Sequence, residues 1–407
     1  ILFFTADDGV HCRELWKSDG TEAGTVLVKD IFPGWRGSVS WYDNQPNTPK
    51  AYAALGNEFY FAADDGTSGV ELWKSDGTDA GTVLVRDLNT QSSPPSSNPE
   101  DLTPMGGALY FRATGDVYGD RLWRSDGTSG GTSPVLGTAT TVRPPDVYPI
   151  LCYANPGVIN WLSKLFYYCG FPVPPSATVG VTAPQHLTVV GNELFFAGYD
   201  RDHGNELWKS DGTNNGTVLV KDIVPGPDSA YYSDLTAVGG AMYMSVYEPT
   251  HGQELWKSDG TDAGTALVKD IYTGYYNNQP GSPNSSYPNH ITDVGGIAFF
   301  TAYDPADGGQ LWKSDGTEAG TVVVKDIVGG SCCWEIINFA GKAFFTAADA
   351  PYQRKLWMSD GTDAGTVIVD INGTGGSLPG FLTVSQGRLF FAGFTDANGG
   401  GLYMYTP

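Results

Sequence analysis

The residues able to do chemistry in this chain are five histidines and a surplus of carboxylates, and their positions are set by a repeat. His11, His203 and His251 each stand three residues before the same repeat position, Glu14, Glu206 or Glu254. A catalytic zinc site needs three converging protein ligands, each about 2.0–2.3 Å from one ion. Histidines on separate repeat units do not meet that requirement. The other two, His186 and His290, occupy a second repeat position, in the aligned series Ala51, Asp101, His186, Asp234, His290, Glu335 and Phe381. The polar members Asp101, His186, Asp234, His290 and Glu335 would ring one mouth of an axial channel and hold a cation or polar ligand in a pH-dependent way. The plainer reading is a wet channel mouth that tolerates polar residues.

Loop carboxylates form a second candidate set: Asp7, Asp8, Asp64, Asp65, Asp200, Asp202, Asp304 and Asp307. Calcium takes six to eight oxygens, which such loops supply in part, so calcium is the one cofactor these residues suggest. Their spacing is neither that of an EF-hand nor that of a calcium-binding nonapeptide repeat. Seven further aspartates, 19, 76, 126, 211, 259, 315 and 360, lie in Ser-Asp-Gly-Thr turns. There Asp bonds its own turn backbone, Gly supplies positive φ and Thr caps the next strand. No phosphate loop, GxSxG elbow, HExxH pair or dinucleotide fingerprint is present, and no catalytic residue is assigned.

What positions these groups is a sheet-building repeat. Leu-Trp followed by the Ser-Asp-Gly-Thr turn recurs at Trp16, Trp73, Trp123, Trp208, Trp256, Trp312 and Trp357, with a degenerate copy at Leu402-Tyr403; the spacings are 57, 50, 85, 48, 56, 45 and 46 residues. A period near 45–50 residues built from short strand-like runs is that of propeller blades. In the cleanest copy, His186 to Val190, Glu193 to Tyr199, Glu206 to Lys209 and Thr217 to Ile223 read as four strands. Phe195-Phe196 puts large side chains on both faces of one sheet, as a blade packed between two neighbours requires. The expected fold is an all-β propeller of four-stranded antiparallel blades, eight in number with seven as the alternative, and a single domain over 1–407. The innermost strand is absent from the first copy and the outermost from the last. The seven tryptophans are the expected blade-docking residues.

The one large departure spans about 137–185. Cys152 and Cys169 bracket it as the expected disulfide of an oxidising compartment, and Trp161, Phe166, Tyr167 and Tyr168 are its candidate interface residues. The chain begins inside a strand at Ile1, so a processed or truncated N-terminus is expected. The 23 Lys and Arg against 45 Asp and Glu, net charge −22, exclude a phosphate-binding nucleic-acid surface. Apolar runs are far below the roughly 20 residues of a transmembrane helix.

The strings ELWKSDGTEAGT at Glu14–Thr25 and ELWKSDGTDAGT at Glu71–Thr82 resemble the ELWxxDGTxxGT-repeat family of secreted bacterial proteins. The resemblance covers nearly all of the chain outside the connectors; Arg121 and Lys355 depart from it in replacing the Glu. It implies an exported or cell-surface propeller and carries no catalytic residues. The functional expectation is a non-catalytic structural or adhesive component that self-assembles into a filament or surface layer, with itself or another surface protein as partner. A glycan-binding, lectin-like module is the alternative, with aromatic connectors stacking on sugars, and a surface hydrolase the second alternative.

Overall fold

The computed structural model describes all residues except 35, 40–50, 92–94, 117–118, 138–179, 277–278, 280, 307, 328–331, 351–352, 370–378, 396–398 and 407. Cys152, Cys169, Trp161, Phe166, Tyr167, Tyr168 and Asp307 lie outside the described residues. Among the described residues there are thirty strands and no α-helix. They form eight antiparallel sheets, six of four strands and the first and last of three. The molecule is a β-propeller of eight blades, as the repeat predicts; the seven-bladed alternative falls.

Blade 4 shows how the sequence builds the unit. Strand A is Thr182–Val190, B Glu193–Asp200, C Gly204–Ser210 and D Val218–Lys221, hydrogen-bonded in that order. A and B are joined by a tight turn in which Gly191 takes a φ of 62°, a conformation glycine adopts without a Cβ penalty. Strand A starts earlier than the apolar pattern suggests because its pairing with B shifts between Gln185 and Thr188, at a bulge centred on His186. Strand A of each blade from 2 to 7 lies against strand A of the next, which places these strands innermost.

The core is not central but divided among the joints between blades. Phe195 and Leu207 point toward blade 5 and cluster with Met242, Met244 and Trp256. Leu194, Phe196 and Trp208 point toward blade 3 and cluster with Leu122 and Val135. The same division recurs in blades 1 and 2, where Trp73 sits with Leu15 and Val28, and in blades 6 and 7, where Trp357 sits with Leu311 and Val324. Alternate residues of each strand thus serve opposite joints. Burying each such leucine contributes about 1.5–3 kcal/mol, so the joints hold the blades in register. Six of the seven repeat tryptophans are buried in this way, while Trp16 is only partly buried.

The repeated basic residues tie neighbouring blades at their outer edges. Lys29, Lys221 and Lys325 reach the carboxylates of Asp79, Asp262 and Asp363 in the next blade's turn at 2.8–2.9 Å. Within blades, Lys74 pairs with Glu58 and Lys209 with Glu193 at 2.8 Å. Cys332 and Cys333 form a vicinal disulfide and Cys12 is free.

Candidate functional site

The end of the propeller where strand B runs into strand C also receives the D-to-A connectors, and most of the polar chemistry gathers there. At its root is the residue two before each tryptophan, which shares the tryptophan's sheet face. Glu206 is fully buried, and its carboxylate accepts hydrogen bonds from the backbone N–H of Ile223 and Val224 at 2.9 and 3.1 Å and from the Tyr232 hydroxyl at 2.8 Å. Glu71 and Glu254 do the same with Leu88 and Ile271 and with Ser97 and Ser286, whose hydroxyls donate at 2.5 Å. Glu14 is held likewise by Ile31 and the Ser38 hydroxyl. Each carboxylate clamps the connector that leaves its own blade. Burial pushes Glu71, Glu206 and Glu254 up to about 7, against the pull of the hydrogen bonds.

Two of the departures in the repeat keep this role with different chemistry. Gln310 accepts from the Ile327 N–H at 2.9 Å and donates to Asp326 at 3.2 Å. Arg121 reverses the polarity and donates to the carbonyls of Gly180 and Val181 at 2.7 and 2.8 Å. These clamps were not singled out from sequence. Their signal is the alternation itself, which puts a charged residue on the buried face beside Trp.

The three loop histidines are local pairs rather than a shared site. His11 Nδ1 lies 2.7 Å from Asp8, His203 Nδ1 2.8 Å from Asp200, and His251 Nδ1 contacts Glu248. In each case the acid three residues earlier also accepts the histidine's backbone N–H. The hydrogen bonds to Asp8 and Asp200 raise His11 and His203 above the ordinary histidine value. Backbone and side-chain bonds from His11 hold Asp8 down at about 2.

The loop aspartates proposed for calcium are occupied by their own turns. Asp7, Asp64 and Asp304 accept from the N–H two residues on, of Gly9, Gly66 and Ala306, at 2.7–2.8 Å. Asp65 accepts from Thr67 and Ser68 at 2.8 and 2.6 Å, and Asp202 is exposed beside the His203 pair. Among the described residues no three His, Cys, Asp or Glu side chains are grouped to hold a metal ion. The Ser-Asp-Gly-Thr aspartates follow the turn reading throughout. Asp211, for example, accepts from both the N–H and the hydroxyl of Thr213, at 2.8 and 2.7 Å.

The axial series does come together on successive inner strands, with a feature that sequence does not show. Asp101, His186, Asp234, His290, Glu335 and Phe381 all have positive φ, between 52° and 60°, each at a bulge of strand A. Non-glycine residues are uncommon there and bear strain. The acids turn sideways to the next blade. Asp101 accepts from the His186 N–H at 2.9 Å, Asp234 from Ile291 at 2.7 Å and Glu335 from Leu382 at 3.1 Å. Thr188 and Thr292 donate across the next joint to the carbonyls of Leu235 and Ile336 at 3.0 Å. The level expected to face a ligand therefore stitches inner strands together. Burial raises Asp101, takes Asp234 to about 6, and lowers His186 and His290.

A different group is left uncovered at the connector end. Tyr199, Tyr231, Tyr275, Tyr276, Tyr287 and Tyr303 are 44–67% exposed, at the ends of strand B, the starts of strand A and the connectors of blades 4 to 6. Tyr231 makes an edge contact with Tyr247 at 6.1 Å between ring centroids, and Tyr303 packs on Tyr272 at 5.6 Å. Tyr275, Tyr276 and Tyr287 lie in one connector, whereas Tyr199, Tyr231 and Tyr303 lie inside strands, where nothing in the local pattern marks them as uncovered. Elsewhere, a cleft of about 420 Å³ between blades 6 and 7 is lined by Phe299, Lys313, Asp315 and Asp360.

No family model matches the chain, and no curated protein does. Solved structures that resemble it include puromycin hydrolase, at 16% identity and a TM-score of 0.31, over 85% of this chain and 58% of that one. Acylaminoacyl peptidase of Pyrococcus horikoshii is similar at 10% identity and a TM-score of 0.40, over 88% and 51%. The β-propeller domain of the trilobed protease of Pyrococcus furiosus is similar at 10% identity and a TM-score of 0.42, over 89% and 96%. The chain spans about half the length of the full hydrolase and peptidase. At these identities the likeness is one of fold. The expectation of a non-catalytic structural or adhesive subunit that self-assembles is not upheld, since the three proteins named are a hydrolase, a peptidase and a protease propeller.

Proposed function

We propose that this propeller is a glycan-binding module of an exported or cell-surface protein of the ELWxxDGTxxGT-repeat type. The observation that carries the proposal is the set of six exposed tyrosines on one end of blades 4 to 6. A phenol ring offers an apolar face to the C–H face of a sugar and a hydroxyl to its polar edge. Tyrosine also has few rotamers to lose on binding. The Glu254 clamp fixes the connector that carries Tyr275, Tyr276 and Tyr287, and Tyr199, Tyr231 and Tyr303 stand on strands, so the platform is set before a ligand arrives. Polar neighbours at the same end, among them the His203–Asp200 and His251–Glu248 pairs, supply hydrogen-bonding groups that orient a sugar.

The test is retention on a panel of insoluble and immobilised polysaccharides. Binding of at least one polymer, lost on joint substitution of Tyr231, Tyr276 and Tyr287 by alanine with thermal stability unchanged, supports the module. Failure to bind any polymer, or binding indifferent to the three substitutions, contradicts it. Release of soluble fragments from a bound polymer would replace this reading by that of a surface hydrolase.

A further inference from the structure

Sixteen residues after each clamp position the repeat carries a second side chain, and its type follows the clamp. It is aspartate where the clamp is glutamate or glutamine: Asp30 after Glu14, Asp87 after Glu71, Asp222 after Glu206, Asp270 after Glu254 and Asp326 after Gln310. Where a base holds the clamp position the aspartate is gone, with Gly137 after Arg121 and, in the sequence, Ile371 after Lys355. An aspartate kept for charge balance would be placed the other way round, because Arg and Lys are its natural partners. The aspartate goes with a carboxyl or an amide.

Blade 6 shows the contact. Gln310 accepts from the backbone N–H of Ile327 through Oε1, and its Nε2 donates to Asp326 Oδ1 at 3.2 Å. In blades 1, 2, 4 and 5 one glutamate oxygen accepts from the equivalent N–H, of Ile31, Leu88, Ile223 or Ile271. The second oxygen then stands where Gln310 has its Nε2. The Oδ1 atoms of Asp30, Asp87, Asp222 and Asp270 are buried and have no hydrogen-bond partner. A buried acceptor left unpaired is costly, and the same orphan in four blades calls for a donor.

We propose that the donor is a proton on the glutamate, so that Glu14–Asp30, Glu71–Asp87, Glu206–Asp222 and Glu254–Asp270 are acid pairs that each share one proton. Each pair takes its proton from solvent and carries one negative charge instead of two. The bond ties strand C to the end of strand D, at the root of the connector that the same glutamate clamps. Burial raises Glu14, Glu71, Glu206 and Glu254, and the nearby Asp87 and Asp270 charges add to it at Glu71 and Glu254. Other titratable groups face three of the pairs: His11 with Asp8 in blade 1, His203 with Asp200, Asp202 and the Tyr232 hydroxyl in blade 4, and His251 with Glu248 in blade 5. In blade 2 the charge acting on Glu71 is that of Asp87. Loss of the proton sets two buried carboxylates against each other and loosens the connector; in blade 5 that connector carries Tyr275, Tyr276 and Tyr287.

Infrared difference spectroscopy of the full chain, in light and heavy water, tests this, because a protonated carboxyl has a carbonyl stretch apart from the carboxylate bands. The native chain is expected to show that band at about pH 6, where exposed Asp and Glu are ionised, and to lose it as pH rises. Joint substitution Glu14→Gln, Glu71→Gln, Glu206→Gln and Glu254→Gln should remove the larger part of it, and Gln310 shows that the fold accepts Gln at this position. A second variant keeps Glu71 and replaces the other three glutamates by Gln. Adding Asp87→Asn to it should move the remaining titration down by about one pH unit or more, since the facing charge that holds the proton is gone. Burial alone predicts no such shift. No band at about pH 6, a band unchanged by the four Gln substitutions, or a Glu71 titration unmoved by Asp87→Asn overturns the proposal. A titration that differs between sodium, potassium and calcium salts at equal ionic strength also overturns it, by assigning the pair to a cation.

Discussion

The carboxylate of Asp234 accepts a hydrogen bond from the backbone N–H of Ile291 at 2.7 Å, joining the inner strand of blade 5 to that of blade 6. Burial holds this carboxyl at about 6, above the ordinary 3.8. Because the folded value is raised, the stability it contributes is fully present below about pH 3.8 and is lost as pH rises through 6. Asn keeps an acceptor for Ile291 without the charge. Asp234→Asn is therefore expected to be more stable than the native chain at pH 8, by on the order of 1–3 kcal/mol, and equal to it at pH 4. Asp234→Ala leaves the N–H without its partner and costs about 1–3 kcal/mol at pH 4, and less at pH 8, where the buried charge goes with it. Chemical denaturation at the two pH values measures all three.

The clamps in strand C predict a pH dependence of the same sign on a larger scale. Glu71, Glu206 and Glu254 stand near 7 instead of 4.5 because they are buried. Their contribution is present below pH 4.5 and falls away as pH rises through 7. Thermal midpoints should decrease from pH 5 to pH 8, and joint substitution of the three by Gln should flatten that slope. Gln310 shows that the neutral side chain holds a connector in the same way.

Much of this architecture is legible in the chain. The Trp spacing, with the degenerate Leu402-Tyr403 copy, gives the blade number, and Phe195-Phe196 shows a sheet buried on both faces. The turn role of Asp211 follows from its Ser-Asp-Gly-Thr setting. What was not legible depends on contacts between blades. The aligned position of Asp234 marked it as axial, yet the side chain's direction follows from a bulge with positive φ, which no local pattern specifies. Glu206 stood in the sequence only as a repeat position, because its partners Ile223 and Tyr232 come from a connector of irregular sequence and from the next blade's inner strand. Tyr199 and Tyr231 gave no signal because exposure of an aromatic in a strand is decided by what the neighbouring blade does not cover.

The recurring turn predicts a steric limit. A Cβ on Gly216 would lie 2.0 Å from the Asp211 Oδ1 atom, which holds the Thr213 N–H and hydroxyl. Gly216→Ala must break that aspartate's bonds or move the turn, and is expected to cost about 2 kcal/mol or more. Denaturant midpoints would show it. A neutral outcome would mean that the turn is not held by its aspartate.

The His203–Asp200 pair predicts a titration. The hydrogen bond to Asp200 raises His203 above 6.5, so the pair stabilises the fold below that pH and releases it as pH rises through the folded value. Asp200→Asn is expected to bring the His203 titration, followed by NMR, back toward the ordinary range. It should also weaken the loop, since Asp200 accepts the N–H of Asp202 and His203 as well.

The most direct measurement of the account is affinity electrophoresis of the native chain and the Tyr231/Tyr276/Tyr287 triple alanine variant in gels cast with soluble polysaccharides. Retardation of the native chain by a polymer, abolished in the variant while both unfold at the same temperature, is the predicted result. Equal mobility of the two proteins in every polymer would contradict a glycan site on the tyrosine-bearing end of blades 4 to 6.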